Sequence, residues 1–138
     1  KKLKLINKDF YLEEMHPEII FAHLSRLTDK PVLITENGVC CDDDRQRIVY
    51  LALYLSALAE AIKAGADVKG YLHWSLMDNY EWGSYTPRFG LCDCNFETFE
   101  RTPKPSAYFY KEIIENKGMT QDILRKYLDV LPSLGKKY

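Results

Sequence analysis

Pro31-Val32-Leu33-Ile34-Thr35-Glu36-Asn37-Gly38 is an apolar strand that ends abruptly on a carboxylate. Val32 to Thr35 is too short and too uniformly apolar for a strand with a solvated face, which points to a parallel strand covered on both sides. An unpaired buried carboxylate is costly, so Glu36 marks the point where the chain leaves the core. The C-terminal mouth of a parallel strand is where barrel enzymes hold their catalytic groups. Asn37-Gly38 adds a turn pair that tolerates positive φ. By itself the run fits two readings: a catalytic carboxylate, or simply the start of a loop.

The flanking sequence alternates in type. Before the strand, a helix is predicted from about Pro17 to Leu27. Pro17 suits the first helical position, Glu18 complements the N-terminal dipole, and Ile20, Leu24 and Leu27 form a stripe. After it, the acidic turn Asp42-Asp43-Asp44 opens a long helix. Its apolar positions Ile48, Leu51, Leu55, Leu58 and Ile62 recur at three and four residues, and Gly65 stops it. A second buried strand is predicted from about Val68 to Leu76, followed by an irregular aromatic segment. Pro105-Ser106 then starts a helix through Tyr110, Ile113 and Ile114 to Gly118, and a last amphipathic helix carries Ile123, Tyr127, Leu128 and Leu131. This order is that of a parallel α/β architecture. Two parallel strands alone leave unpaired edges and uncovered apolar faces. The chain therefore reads as part of a larger sheet, about a quarter of an eight-stranded barrel.

Composition narrows the partners. A net charge of −1, with Lys and Arg spread along the chain, offers no electrostatic reason to expect nucleic acid or a membrane surface. The longest apolar stretch is broken by Lys63 and preceded by Arg45 and Arg47, so nothing here spans a bilayer. Lys1-Lys2-Leu3-Lys4-Leu5-Ile6 lacks the apolar core and cleavage site of a signal peptide, and a cytoplasmic location is expected. The four cysteines, Cys40-Cys41 and Cys92-x-Cys94, do not have zinc-finger spacing. Free thiols in a reducing compartment are expected, with a four-cysteine metal site as the alternative. Asp42 to Asp44 read as a solvated helix start rather than metal ligands, and neither cofactor nor metal is expected. His73 reads as a packed strand residue, and His16 and His23 as surface or packing residues.

The exit of the second strand reads Gly70-Tyr71-Leu72-His73-Trp74-Ser75-Leu76-Met77-Asp78-Asn79-Tyr80-Glu81-Trp82. Indole faces stack on the apolar C–H faces of a pyranose, while an indole N–H and carboxylate oxygens bind hydroxyls in fixed directions. An aromatic core cluster with a satisfied carboxylate is the bland alternative. Tryptophans flanking a carboxylate at a second strand mouth, with Glu36 ending the first, favour the sugar-binding reading.

These motifs resemble family 1 of the glycoside hydrolases, the β-glucosidase family. Ile34-Thr35-Glu36-Asn37-Gly38 resembles its nucleophile motif and Trp74 to Trp82 its glycone-binding motif. Arg88-Phe89-Gly90-Leu91 and Arg101-Thr102-Pro103-Lys104-Pro105-Ser106-Ala107-Tyr108 resemble its closing segments. The resemblance runs from roughly Pro17 to Gly118. It implies the C-terminal part of a (β/α)8 TIM barrel: about the last two strands with flanking helices, in one unit spanning 1–138. Residues 1–16 are divergent, and 119–138 form an extra helix or tail.

The resemblance implies a retaining mechanism with Glu36 as nucleophile. Trp74 would be the platform beneath the sugar ring, Glu81 the acceptor of its distal hydroxyls, and Trp82 a donor to it. Phe89 would line the same subsite. A non-proline cis peptide at Trp74-Ser75 is implied too. Family members acting on 6-phosphorylated sugars usually carry a small hydroxyl residue at the position of Glu81, so the implied substrate is an unphosphorylated β-glycoside. The family's acid/base motif, Thr-x-Asn-Glu-Pro, has no counterpart in these residues, and the turn between Trp82 and Arg88 is a residue shorter than in many relatives. The N-terminal remainder of the barrel is therefore the implied partner. A non-enzymatic sugar-binding or assembly module that kept these motifs is the alternative.

Overall fold

The computed structural model of the chain describes residues 5–7, 10–12 and 24–128. Strands β1 (Leu5–Asn7) and β2 (Phe10–Leu12) pair antiparallel, with Leu5 opposite Leu12. Three-residue strands are too short to show an alternation, so nothing in the pattern of residues 1–16 signals them. The helix expected over Pro17 to Leu27 is seen only as its last turn, α1 (Leu24–Leu27). His16, Pro17, Glu18, Ile20 and His23 lie outside the described residues.

The strand–helix–strand unit is present as expected. Strands β3 (Val32–Asn37) and β4 (Val68–His73) pair in parallel, joined by helix α2 (Asp44–Lys63). Asp43 caps α2 by accepting the Arg45 N–H at 3.0 Å, as the acidic run foretells. At the other end Gly65, at φ 102°, donates to Ile62 O while Ala66 donates to Ala61 O, a Schellman closure that needs the left-handed residue.

Helix α2 buries two stripes rather than one. Tyr50, Tyr54, Leu58 and Ala61 pack with Val39, Cys41 and Ala66 against the strands. Ile48, Leu51 and Ala52 pack with Leu91, Phe109, Ile123, Leu124 and Leu128. Tyr50 and Tyr54 stack at 4.0 Å. Ile62, placed in the stripe by periodicity, is exposed, while its neighbour Ala61 is the residue of the last turn that packs in the first cluster.

Strand β3 does have an open face, contrary to expectation. Leu33 on β3 and Leu72 on β4 are 52% and 54% exposed, while Ile34, Val68 and Tyr71 pack toward α2. Only one face of the pair is covered by the described residues. The second strand also stops at His73, not Leu76. Beyond it the backbone changes partner: Trp74 N–H still donates to Asn37 O, but Ser75 N–H donates to Phe89 O and Leu91 and Cys92 donate back to Ser75 and Leu76.

The irregular aromatic segment contains a hairpin of β5 (Cys92–Cys94) and β6 (Arg101–Pro103), again too short for its pattern to be legible. Helices α3 (Pro105–Glu115) and α4 (Gln121–Tyr127) follow, with Pro105 in the first turn of α3 as expected and Thr120 capping α4. Leu131 lies outside the described residues. Among the described residues, no helix is long and apolar enough to cross a membrane.

Candidate active site

Glu36 is the next-to-last residue of β3, and the register explains its direction. Ile34 pairs with Tyr71 and Asn37 with His73, so three steps on β3 match two on β4. The extra residue is a bulge, a device that re-aims a side chain next to a functional site. Thr35 and Glu36 are in consequence both exposed, where strict alternation would have hidden one of them. Asn37 is anchored behind them, its Oδ1 accepting from Tyr71 Oη at 2.7 Å. Among the described residues no side chain donates to the Glu36 carboxylate.

Gly38 is required for a reason the turn chemistry does not supply. It is not in the positive-φ region; a Cβ there would lie 1.6 Å from the Trp74 carbonyl oxygen. Glycine lets the backbone after Glu36 touch the backbone of Trp74. The Trp74–Ser75 peptide is cis, as the resemblance implies.

Beyond Trp74 the chain is stitched to itself. Ser75 Oγ donates to Met77 O at 2.8 Å, and Asn79 Nδ2 reaches Ser75 Oγ at 3.2 Å. Glu81 and Ser84 exchange backbone hydrogen bonds around Trp82 (φ 46°) and Gly83 (φ 114°). Two positive-φ central residues make a two-residue hairpin turn between Glu81 and Ser84. Trp82 projects from its tip, 97% exposed.

One open cleft of about 410 Å³ is lined by Glu36, Trp74, Asn79, Tyr80, Glu81 and Trp82. Four of the five expected site residues thus meet at one place. Phe89 is not among the lining residues; its carbonyl holds Ser75 instead. Glu81 is buried, and its Oε1 accepts the indole N–H of Trp74 at 2.9 Å, fixing carboxylate and ring relative to each other. Asn79 and Tyr80 were not singled out from the sequence, although they lie within the same motif.

Other groups fall outside the chemistry. Burial pushes the Cys41 thiol up to about 11 against the opposing pull of Arg47, so it is an inert thiol at neutral pH. All four cysteines are free. Among the described residues no cluster of three or more His, Cys, Asp or Glu could hold a metal ion. His73 is packed, as expected, with both ring nitrogens buried and no hydrogen bond of good geometry. Burial, then the charge of Arg47, lowers its pKa to about 4, while the nearby backbones of Phe89 and Asn37 and the Asp44 carboxylate pull weakly the other way. The unfolded chain therefore binds the proton first. Stability conferred by neutral His73 is complete above about pH 6.5 and is lost as pH falls toward 4, by about 3 kcal/mol in all. Urea unfolding at a series of pH values should show this slope, and His73→Phe should flatten it.

A strand–helix–strand unit of barrel type here brings a carboxylate from one strand mouth into one cleft with the aromatic rings and carboxylate of the next, groups able to bind a sugar's C–H faces and hydroxyls. Residues 14–119 match Glycosyl hydrolase family 1, and the chain belongs to that family. It is 41% identical over 123 residues to a beta-galactosidase of Saccharolobus solfataricus, covering 86% of this chain and 25% of that protein. It is 42% identical over 119 residues to a 6-phospho-beta-galactosidase of Staphylococcus aureus, covering 75% of this chain and 25% of that one. A solved beta-glycosidase from Pyrococcus horikoshii superposes with a TM-score of 0.82 at 36% identity, covering 97% of this chain and 32% of that chain. The chain spans about a quarter of the length of the curated relatives it matches.

Proposed function

We propose that this chain is the C-terminal part, about the last two strands, of a retaining β-glycosidase barrel acting on unphosphorylated β-glycosides. The observation that carries this is the shared cleft: Glu36 from β3 opposes Trp74, Glu81 and Trp82 from the exit of β4. Glu36 attacks the anomeric carbon and forms a glycosyl ester. A second carboxyl group, about 5–5.5 Å away, protonates the leaving oxygen and then activates water. That group comes from the remainder of the barrel, which also covers Leu33 and Leu72. Trp74 stacks beneath the sugar, Glu81 accepts from its distal hydroxyls, Trp82 donates to it, and Phe89 contributes through its carbonyl, which holds the Ser75 backbone next to Trp74. Contacts that tighten as the ring flattens raise the rate as well as the affinity.

Overall identity does not decide the phosphorylation state, since galactosidase and 6-phosphogalactosidase relatives match equally well. Glu81 favours the neutral sugar, because a buried carboxylate repels a phosphate dianion. An aryl β-glucoside should be turned over faster than its 6-phosphate; the reverse order would overturn this assignment.

The deciding experiment fuses this chain behind, or mixes it with, the N-terminal part of a family 1 barrel and measures hydrolysis of a chromogenic β-glucoside. Turnover is expected, together with a covalent adduct on Glu36 when a fluorinated glycoside traps the intermediate. Sugar binding without turnover or adduct would mark the chain as a non-enzymatic module.

A further inference from the structure

Asp78 is a fully buried carboxylate midway between Trp74 and Glu81, and the chemistry above does not use it. Its side chain has no exposed surface. Oδ1 accepts the Gly90 N–H at 2.7 Å, and Oδ2 accepts Lys104 Nζ at 2.8 Å and lies 3.5 Å from an Arg88 Nη1. Lys104 also donates to Gly90 O at 2.9 Å, so one lysine closes a ring over Asp78 and Gly90. The backbones touch as well: Asp78 N–H donates to Cys92 O, and a Cβ on Gly90 would lie 2.2 Å from Asp78 N. Arg88 extends this wall outward, its guanidinium over the Phe96 ring at 5.6 Å.

An ion pair this deep contributes little net stability over an apolar packing of the same volume. What it does give is a fixed position. The loop from Trp74 to Ser84 is an arm carrying Glu81 and Trp82 at its far end. Asp78 clamps that arm, at its middle, to the 88–92 segment and to the start of α3 (Lys104 directly precedes Pro105). A one-ångström error at the arm's end is enough to misplace a hydroxyl acceptor.

We propose that Asp78, with Lys104, is a positioning residue that sets Glu81 against the sugar's distal hydroxyls and so sets how strongly those hydroxyls contribute to catalysis. The inference rests on Glu81 facing the sugar, as proposed above. It is tested in the fused barrel with an aryl β-glucoside and its 4-deoxy and 6-deoxy analogues. Asp78→Asn keeps shape and one acceptor but loses the charge. It is expected to lower kcat/KM on the parent glucoside by roughly 10- to 100-fold and to leave the deoxy analogues nearly unchanged. Added to Glu81→Gln, it should cause almost no further loss on the parent. Lys104→Gln should reproduce the effect and Lys104→Arg restore most of it, which keeps the test open if Asp78→Asn does not fold. Equal losses on parent and deoxy substrates in these variants would overturn the inference and leave the role of Glu81 standing. A wild-type enzyme that does not distinguish parent from deoxy substrates, or a Glu81→Gln variant that distinguishes them as well as wild type, would overturn both.

Discussion

Glu36→Gln in the completed barrel is expected to lower turnover of an aryl β-glucoside on the order of 10⁴-fold or more, with little change in KM. The amide has the size and shape of the carboxylate, so the cleft formed with Trp74, Glu81 and Trp82 is unaltered and the sugar still binds. It has no charge to support the oxocarbenium-like transition state and is a poor nucleophile for the glycosyl ester. Glu36→Ala gives a sharper readout. Removing the side chain leaves room for a small anion such as azide on the face that Glu36 attacks, and the expected product is the α-glycosyl azide. A Glu36→Gln enzyme with near wild-type kcat, or an azide product of β configuration, would place the nucleophile elsewhere.

Arg47→Ala is expected to cost about 3–5 kcal/mol of folding stability, a large share of the roughly 5–15 kcal/mol a domain has. Arg47 is the largest fully buried side chain among the described residues. It pairs with Asp44 and donates from Nη2 to Cys41 O at 3.1 Å and Arg88 O at 2.6 Å. Asp44 in turn accepts Ser106 N–H at 2.7 Å and Ser106 Oγ at 2.6 Å. One guanidinium thus ties the start of α2, the loop after β3 and the Arg88 segment together, and through Asp44 it reaches the start of α3. Alanine leaves a half-buried carboxylate short of its countercharge and the buried Cys41 carbonyl without the Arg47 donor. Arg47→Lys should recover part of the loss, since an ammonium matches the charge but not the fork. A thermal midpoint for Arg47→Ala within a few degrees of wild type would show that the network is dispensable.

The parts of this fold that the sequence made legible are those governed by short-range rules. Asp43 and Gly65 bounded α2, Pro105 opened α3, and the uniformly apolar run from Val32 marked a parallel strand. Glu36, Trp74, Glu81 and Trp82 each had a bland reading alone; their pairing at two strand exits and their resemblance to family motifs singled them out, and the fold brings the four into one cleft. What stayed hidden depends on distant partners. Arg47 and Asp78 look like ordinary surface charges in sequence; only the fold brings Arg88 O to one and Lys104 to the other. The bulge at Glu36 is a register difference between two strands thirty-odd residues apart and leaves no trace in either strand alone. Leu33 and Leu72 were expected to be covered, an expectation that suits a whole barrel better than the part of one described here.

The contact of Gly38 with the Trp74 carbonyl bears on where the proposed glycosidase could change its sugar preference. The main chains that carry Glu36 and Trp74 meet at this contact, so the spacing of the two backbones is set by main-chain atoms and leaves no room for a side chain at position 38. If the chain is part of the proposed glycosidase, changes of sugar preference are expected to leave this backbone contact alone and to act at the rim. On this chain that rim is the arm bearing Asn79, Tyr80, Glu81 and Trp82, and a mutational library aimed at new glycones belongs there rather than at residues 36–38.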